Sequence, residues 1–209
     1  IQDGNTFSLW ETLSASRGII MTHTKAGSAK KNIRVKKGIY RKYLQEYIPL
    51  FYYALTSYGI YKEIKIAGNM NNDNFDGRIL ENGVEIEKIE LSFPIEGKRE
   101  NEEAKQLNEK GISNVYEFST TKESAYLDLV FLKAEEKSTK DYSESTLIIT
   151  LDLWPYFSLD DIDDMSTIYD FRDRLKTLKY IAKKVILFIP PCNSTEINTL
   201  GIIMNVYKS

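Results

Sequence analysis

Apolar residues recur along this chain with two different periods, and the changes of period mark its elements. From residue 36 to 58, Tyr40, Leu44, Ile48, Phe51, Leu55 and Tyr58 recur at steps of three and four, which lines one face of a helix. Gly59 supplies its stop. Pro49 predicts a kink or a split, because proline removes a donor and crowds the preceding turn. Ile60 to Ala67 alternates as a strand does, and Gly68 with the Asn-rich run to Asn74 reads as a loop. Phe75 to Leu80 is a second strand and Val84 to Ile95 a third, joined through Glu81-Asn82-Gly83, whose Asn-Gly pair is the strongest short hairpin signal. The apolar set of the third strand changes parity, from Val84 and Ile86 to Ile89, Leu91 and Phe93, which predicts a bulge near Lys88.

Beyond residue 100 the pattern predicts a short charged helix over Asn101 to Lys110, with Asn101 as cap and Gly111 as stop. Ser124 to Lys137 reads as a helix with Leu127, Val130, Phe131 and Ala134 on one face. A strand over 125–133 fits the same residues, since Leu127, Leu129 and Phe131 also alternate. Leu147 to Leu153 is apolar and branched, as a strand buried on both faces is. Ile168 to Lys184 is expected to be helical, Val185 to Ile189 a strand closed by Pro190-Pro191, and Ile202 to Val206 a last strand beside it. Strands interleaved with helices in this order predict an α/β fold, a mixed central sheet flanked by helices. We expect a single domain over residues 1–209, with 1–35 as an N-terminal arm and basic loop.

Composition changes this picture little, and charge changes it in one place. An apolar fraction of 42% and a charged fraction of 28% are ordinary for a globular chain, and a net charge of −2 does not itself call for nucleic acid or an anionic membrane. Between Thr12 and Gln45, however, there are nine Lys and Arg residues and no Asp or Glu. Lys25, Lys30, Lys31, Arg34, Lys36 and Lys37 within that stretch are the candidates for phosphate-backbone contacts. Tyr40, Tyr43, Tyr47, Tyr52 and Tyr53 nearby are placed either to stack on bases or to pack the helix, and packing is the stronger reading. One cysteine, Cys192, excludes an intrachain disulfide and a cysteine-built metal site; one histidine, His23, argues against a multi-histidine zinc site and a Ser-His-Asp triad. No apolar run approaches the ~18 residues of a membrane span, so no membrane partner and a cytoplasmic location are expected.

The candidate chemistry lies in the hairpin. Counting out from the Asn82-Gly83 turn puts Asp76 opposite Glu90, and cross-strand neighbours sit ~5 Å apart. Two carboxylates at that distance repel unless a cation lies between them. Oxygen ligands select a hard ion, Mg²⁺ or Mn²⁺ with Ca²⁺ as the other member of the class, and such an ion activates water and stabilises charge on a phosphate. Acids beside an Asn-Gly hairpin also occur as plain solvated edge charges, and Asp before Gly as plain turn chemistry.

The order helix, strand, Asp strand, Glu strand, helix, strand over roughly residues 36–153 resembles the PD-(D/E)XK nuclease superfamily, the restriction-endonuclease-like fold with its αβββαβ core. The matching residues are Asp76 in F-D-G-R-I and Glu90 in I-E-L-S. The resemblance implies a metal held by Asp76 and Glu90, often joined by a Glu of the first helix, here Glu46. It also implies a lysine two places after the Glu, where this chain has Ser92. Lys88, two places earlier, is the first replacement, with Lys98, Lys105 or Lys137 as others. The candidate catalytic set is therefore Asp76, Glu90, Lys88 and Ser92, with Ser92 read as a small strand residue more than as a nucleophile, for want of a nearby histidine. The implied activity is divalent-metal-dependent hydrolysis of phosphodiester bonds, DNA ahead of RNA. The alternatives are an inactive nucleic-acid-binding module of the same fold, or an interaction subunit whose tyrosine-rich helix pairs two copies into a homodimer.

Overall fold

A computed structural model describes residues 7–8, 46–59, 63–69, 74–94, 106, 109–110, 120–152, 165–191 and 201–208. Their elements, in chain order, are β1 (Phe7–Ser8), α1 (Ile48–Tyr58), β2 (Ile64–Gly68), β3 (Gly77–Glu81), β4 (Val84–Ser92), α2 (Thr120–Ser138), β5 (Asp141–Thr150), α3 (Ser166–Leu175), β6 (Ile181–Ile189) and β7 (Ile202–Lys208). The strands form one mixed sheet in chain order, β1 to β7, whose first member is only a two-residue edge strand. The strands β1 to β4 are an antiparallel meander, β4, β5 and β6 run parallel, and β7 returns antiparallel. The two parallel steps need crossovers, and α2 and α3 are those crossovers.

The helices cover both faces of the sheet. On one side α1 places Leu50, Phe51, Tyr53, Ala54 and Leu55 against Ile64, Ile66, Ile79, Ile89, Leu91, Ile148, Ile186 and Phe188. On the other, α2 and α3 place Tyr126, Val130, Ala134, Ile168, Phe171 and Leu175 against Leu147, Ile149, Leu151, Val185, Leu187 and Ile189. Successive side chains of a strand point to opposite faces, so a central strand with both faces covered must be apolar throughout. That is why L-I-I and V-I-L-F-I are continuous runs.

Several boundaries differ from the sequence expectation for identifiable reasons. Pro49 lies in the first turn of α1, which directly follows Glu46 and Tyr47, whose backbone is π-helical, so the irregularity expected at the proline stands at the start of α1 and not inside it. Gly59 ends the helix with φ 73°, its N–H donating to Leu55 O at 3.0 Å. Residues 120–138 are helical, which resolves the open choice over 125–133. The helix expected over 168–184 ends at Leu175, and residues 181–184 belong to β6. The apolar set Ile168, Phe171 and Leu175 has helical spacing, but the turn at Lys176–Leu178 breaks it, and Ala182 then pairs with Tyr142 in the sheet. Gln106, Glu109 and Lys110 are helical, while the rest of 101–110 lies outside the described residues. No helix among the described residues is long and apolar enough to cross a membrane.

One polar cluster ties α1 to the sheet. The Glu87 carboxylate accepts from Tyr53 Oη at 3.0 and 3.1 Å, from Tyr58 Oη at 2.7 Å and from Thr146 Oγ1. Burial and the neighbouring Glu87 push both tyrosine hydroxyls up, so they remain donors at any ordinary pH. Tyr53→Phe removes one charge-assisted bond and is expected to cost roughly 1.5–3 kcal/mol in urea unfolding. An unchanged midpoint would show that this cluster does not hold the helix.

Candidate metal and nuclease site

The hairpin register positions the two candidate acids. Asn82 (φ 53°) and Gly83 (φ 81°) form the two-residue turn with both φ values positive that Asn-Gly favours, and Glu81 pairs with Val84. The ladder then shifts by one: Leu80 pairs with Glu85 but Ile79 with Glu87, so Ile86 is the extra residue of a bulge. Beyond it Arg78 pairs with Lys88 and Gly77 with Ile89, and one further step sets Asp76 against Glu90. Without the extra residue in β4 the same turn would set Asp76 against Ile89 and rotate Glu90 toward α1. The bulge expected near Lys88 thus lies two residues closer to the turn, and it carries out the change of parity seen in the sequence.

Asp76 sits where the meander opens. Its N–H donates to Ile89 O at 2.8 Å, and its Oδ2 accepts from the Leu91 N–H at 2.8 Å. A side-chain oxygen thus takes the place of a ladder carbonyl and locks the Asp76 carboxylate to the strand that carries Glu90. Ile89 and Leu91 face α1, so Glu90 faces α2. There Lys137, near the end of α2, donates from Nζ to Glu90 Oε1, and Tyr142 of β5 donates from Oη to the same oxygen at 3.2 Å. The Lys137 ammonium also lies 5.8 Å from the centroid of the Tyr142 ring.

Electrostatics bind these groups into one unit. Burial first, and the Asp76 charge second, push the Glu90 carboxyl above its ordinary range, against the opposing pull of Lys137 and Tyr142. Burial alone would lower Lys137, but its hydrogen bond to Glu90 and the charges of Glu90, Tyr142 and Asp76 outweigh that and raise it. Lys137 is therefore a firmly protonated cation. Among the described residues two carboxylates and one ammonium meet here, a combination that favours a cation. Among the described residues no group of three or more His, Cys, Asp or Glu side chains is placed to hold a metal. Two carboxylates still suit Mg²⁺ or Mn²⁺, since a small hard ion keeps several waters and takes one or two protein carboxylates beside substrate oxygens. The donor chemistry of the two carboxylates is of the kind that suits such an ion.

The other sequence candidates fall elsewhere. Glu46 lies half-buried just ahead of α1 and does not complete a three-acid group. Lys88 shares a sheet face with Glu90 by alternation, but its ammonium pairs with Glu144 at 3.2 Å and lies 5.9 Å from the Phe75 ring centroid. Ser92 is buried, 3% exposed, as a small strand residue. Tyr47 and Tyr53 are buried against the sheet, which answers the choice between stacking and packing for those two. Lys98, Lys105, the basic candidates Lys25, Lys30, Lys31, Arg34, Lys36 and Lys37, and His23 and Cys192 lie outside the described residues. Tyr142 was missed by sequence reasoning: it stands alone at the head of β5, and only the pairing of β5 with β4 brings it to Glu90.

Gly77, next to Asp76, is a strand residue and not a turn glycine. A Cβ there would meet Leu50 Cδ2 at 2.5 Å and Ala67 O at 3.2 Å, so its role is to let α1 approach the sheet. Gly77→Val is expected to destabilise the protein by roughly 1–3 kcal/mol through overpacking. Denaturant unfolding checks this, and a companion Leu50→Ala substitution should recover part of the loss.

An open cleft of about 700 Å³ is lined by Asn74, Phe75, Lys88 and the start of β5, including Asp141, Tyr142 and Glu144; neither Asp76 nor Glu90 lines it. Tyr142 belongs to both features. The chain matches no family model, no curated protein and no solved structure.

Proposed function

We propose that this protein is a divalent-metal-dependent nuclease of the restriction-endonuclease-like type, hydrolysing phosphodiester bonds, with DNA ahead of RNA as substrate. The observation that carries this reading is the convergence of Asp76, Glu90 and Lys137. Two acids from adjacent strands share one face, and a lysine from the following helix donates to one of them. The order of α1, β2, β3, β4, α2 and β5 supports it, being the αβββαβ order of that superfamily. In this reading Lys137 replaces the lysine missing at Ser92, brought to the same carboxylate from a different element.

Asp76 and Glu90 would hold Mg²⁺ or Mn²⁺. When bound, such an ion offsets charge on the scissile phosphate and lowers the pKa of a coordinated water. Asp76 is pre-oriented by the Leu91 N–H, so no rotamer search opposes binding. Lys137 offsets part of the carboxylate charge and offers further N–H donors to a water or a phosphate oxygen. The cleft gives the substrate an approach past Tyr142.

The test is incubation of the purified protein with duplex DNA and with single-stranded DNA and RNA, with Mg²⁺ or Mn²⁺ and with chelator. Metal-dependent cleavage lost on substitution of Asp76 is the expected result. A second reading, a nucleic-acid-binding module without turnover, draws on Ser92 at the motif position and on Lys137 already neutralising Glu90. It predicts salt-sensitive binding with no cleavage under any of these conditions.

A further inference from the structure

We propose that Tyr142 is a positioning residue of this site: together with Lys137 it fixes the Glu90 carboxylate through Oε1, and so leaves Oε2 to a divalent cation. The proposal rests on the metal-binding reading of Asp76 and Glu90 and extends it to a residue outside the acid pair.

The geometry is specific about which oxygen is used. Tyr142 Oη donates to Oε1 of Glu90 at 3.2 Å, and Lys137 Nζ donates to the same atom. No donor among the described residues reaches Oε2. A carboxylate bound at one oxygen by two donors from different elements cannot rotate freely, and its second oxygen acquires a fixed direction. Hydrogen bonds that orient a ligand carboxylate in this way are typical supports of metal sites.

Tyr142 is itself held firmly. It is 6% exposed, and its ring belongs to the core beneath α2 and α3. Its backbone pairs with Ala182 of β6, and the register between β5 and β6 slips only after it, before Thr146 and Lys184 pair. The Ser143 N–H donates to Asp141 Oδ1 at 2.9 Å, which ties down the chain on both sides of Tyr142. The Lys137 ammonium over the ring means that one aromatic side chain supports both partners of the Glu90–Lys137 pair. Tyr142 also lines the cleft, so the residue that orients Glu90 stands between the acids and that opening.

The alternative is a purely structural hydroxyl, one that bonds Glu90 because a buried tyrosine needs a partner. Tyr142→Phe separates the two, since it keeps the ring, the core packing and the place of Lys137. The experiment is a Mn²⁺ titration followed by electron paramagnetic resonance on wild type, Tyr142→Phe and Asp76→Asn, with thermal melts in chelator as the control for folding. The expected result is Mn²⁺ binding to wild type that is weakened about 10–100-fold by Tyr142→Phe, with a cooperative metal-free melt lowered only as far as the loss of one hydrogen bond lowers it, as for Tyr53→Phe. Equal Mn²⁺ affinity in wild type and Tyr142→Phe overturns the positioning role and leaves the metal site standing. Equal weak binding in wild type and Asp76→Asn overturns the metal site, and the role of Tyr142 falls with it.

Discussion

Asp76→Asn is expected to reduce metal-dependent cleavage by at least ~10²-fold, at or beyond the upper end of the losses seen when a mere support of a metal ligand is removed. Asparagine is the informative substitution because it keeps the oxygen that accepts from the Leu91 N–H and removes only the charge. Asp76→Ala would also leave that N–H without its acceptor, at a cost of about 1–3 kcal/mol, and would confound lost function with lost fold. The isostere has a second expected consequence. The Asp76 charge is one of the two causes that raise Glu90, after burial. A carboxyl raised in the folded state contributes stability that is complete below its unfolded pKa and is lost as pH rises through the folded one. Removing the Asp76 charge relieves its repulsion of Glu90 and gives up the attraction that helps to raise Lys137, so the two effects oppose and the metal-free Asp76→Asn protein should melt near the wild-type temperature at neutral pH. Activity lost with stability held or gained is the signature of a residue kept for function. Undiminished cleavage by Asp76→Asn would sink the assignment. A large fall in melting temperature would make Asp76 a structural clasp between β3 and β4.

The same residues explain why the site is built on a defect in the sheet. A regular hairpin from Asn82-Gly83 would turn Glu90 toward α1, among Ile89, Leu91 and the apolar face of that helix. The extra residue Ile86 exchanges the faces beyond it. Glu87 then meets the hydroxyls of Tyr53, Tyr58 and Thr146 on the α1 side, while Glu90 meets Lys137 and Tyr142 on the α2 side. Buried Glu90 and half-buried Glu87 each have the donors that their own face supplies, as buried polar groups require.

Much of this hairpin was legible in the sequence, because its determinants are local. Asn-Gly fixes a turn by backbone sterics, and the switch from Val84 and Ile86 to Ile89 and Leu91 registers the bulge as a change of parity. The facing of Asp76 and Glu90 followed in the sequence from a count centred on Gly83; in the two-residue turn that forms, the count alone falls one short and the extra residue Ile86 brings the two acids opposite. The end of α3 was not legible, since Ile168, Phe171, Leu175 and the apolar residues after them can be read as one helical face until pairing with β5 claims Ala182 for the sheet. Lys137 was one name among several, since nothing local says which lysine a helix brings back to β4. Tyr142 was invisible for the same reason: its partner is 52 residues away and depends on a parallel crossover. Contacts within a hairpin can be counted from a turn, and contacts across a crossover cannot.

Lys137→Met tests that long-range contact and should be nearly as damaging to cleavage as loss of Asp76, on the order of 10²-fold, the loss that follows removal of one catalytic electrostatic donor. Methionine keeps most of the stem volume and removes the ammonium. Glu90 is then left buried beside Asp76 with Tyr142 as its remaining donor. Breaking a fully buried ion pair costs ~3–5 kcal/mol. Lys137 keeps 25% of its side chain in solvent, so a smaller loss of roughly 1–3 kcal/mol is expected here. The sign of its pH dependence is fixed. Without the cation Glu90 moves further up, and the folded state is penalised only while that carboxyl is ionised. The stability gap between Lys137→Met and wild type should therefore be widest above the folded pKa of Glu90 and narrow as pH falls through it. In wild type the raised Lys137 contributes stability that persists below the ordinary lysine range and is lost only as pH rises through its folded value in alkali. Adding Glu90→Gln to Lys137→Met removes the stranded charge, and should restore the melting temperature without restoring cleavage. A Lys137→Met protein that cleaves normally would return the catalytic role to Lys88 or to a residue outside the described segments. One that loses activity with no pH-dependent change in stability would separate Lys137 from Glu90 in solution, and with it the geometry on which the nuclease reading stands.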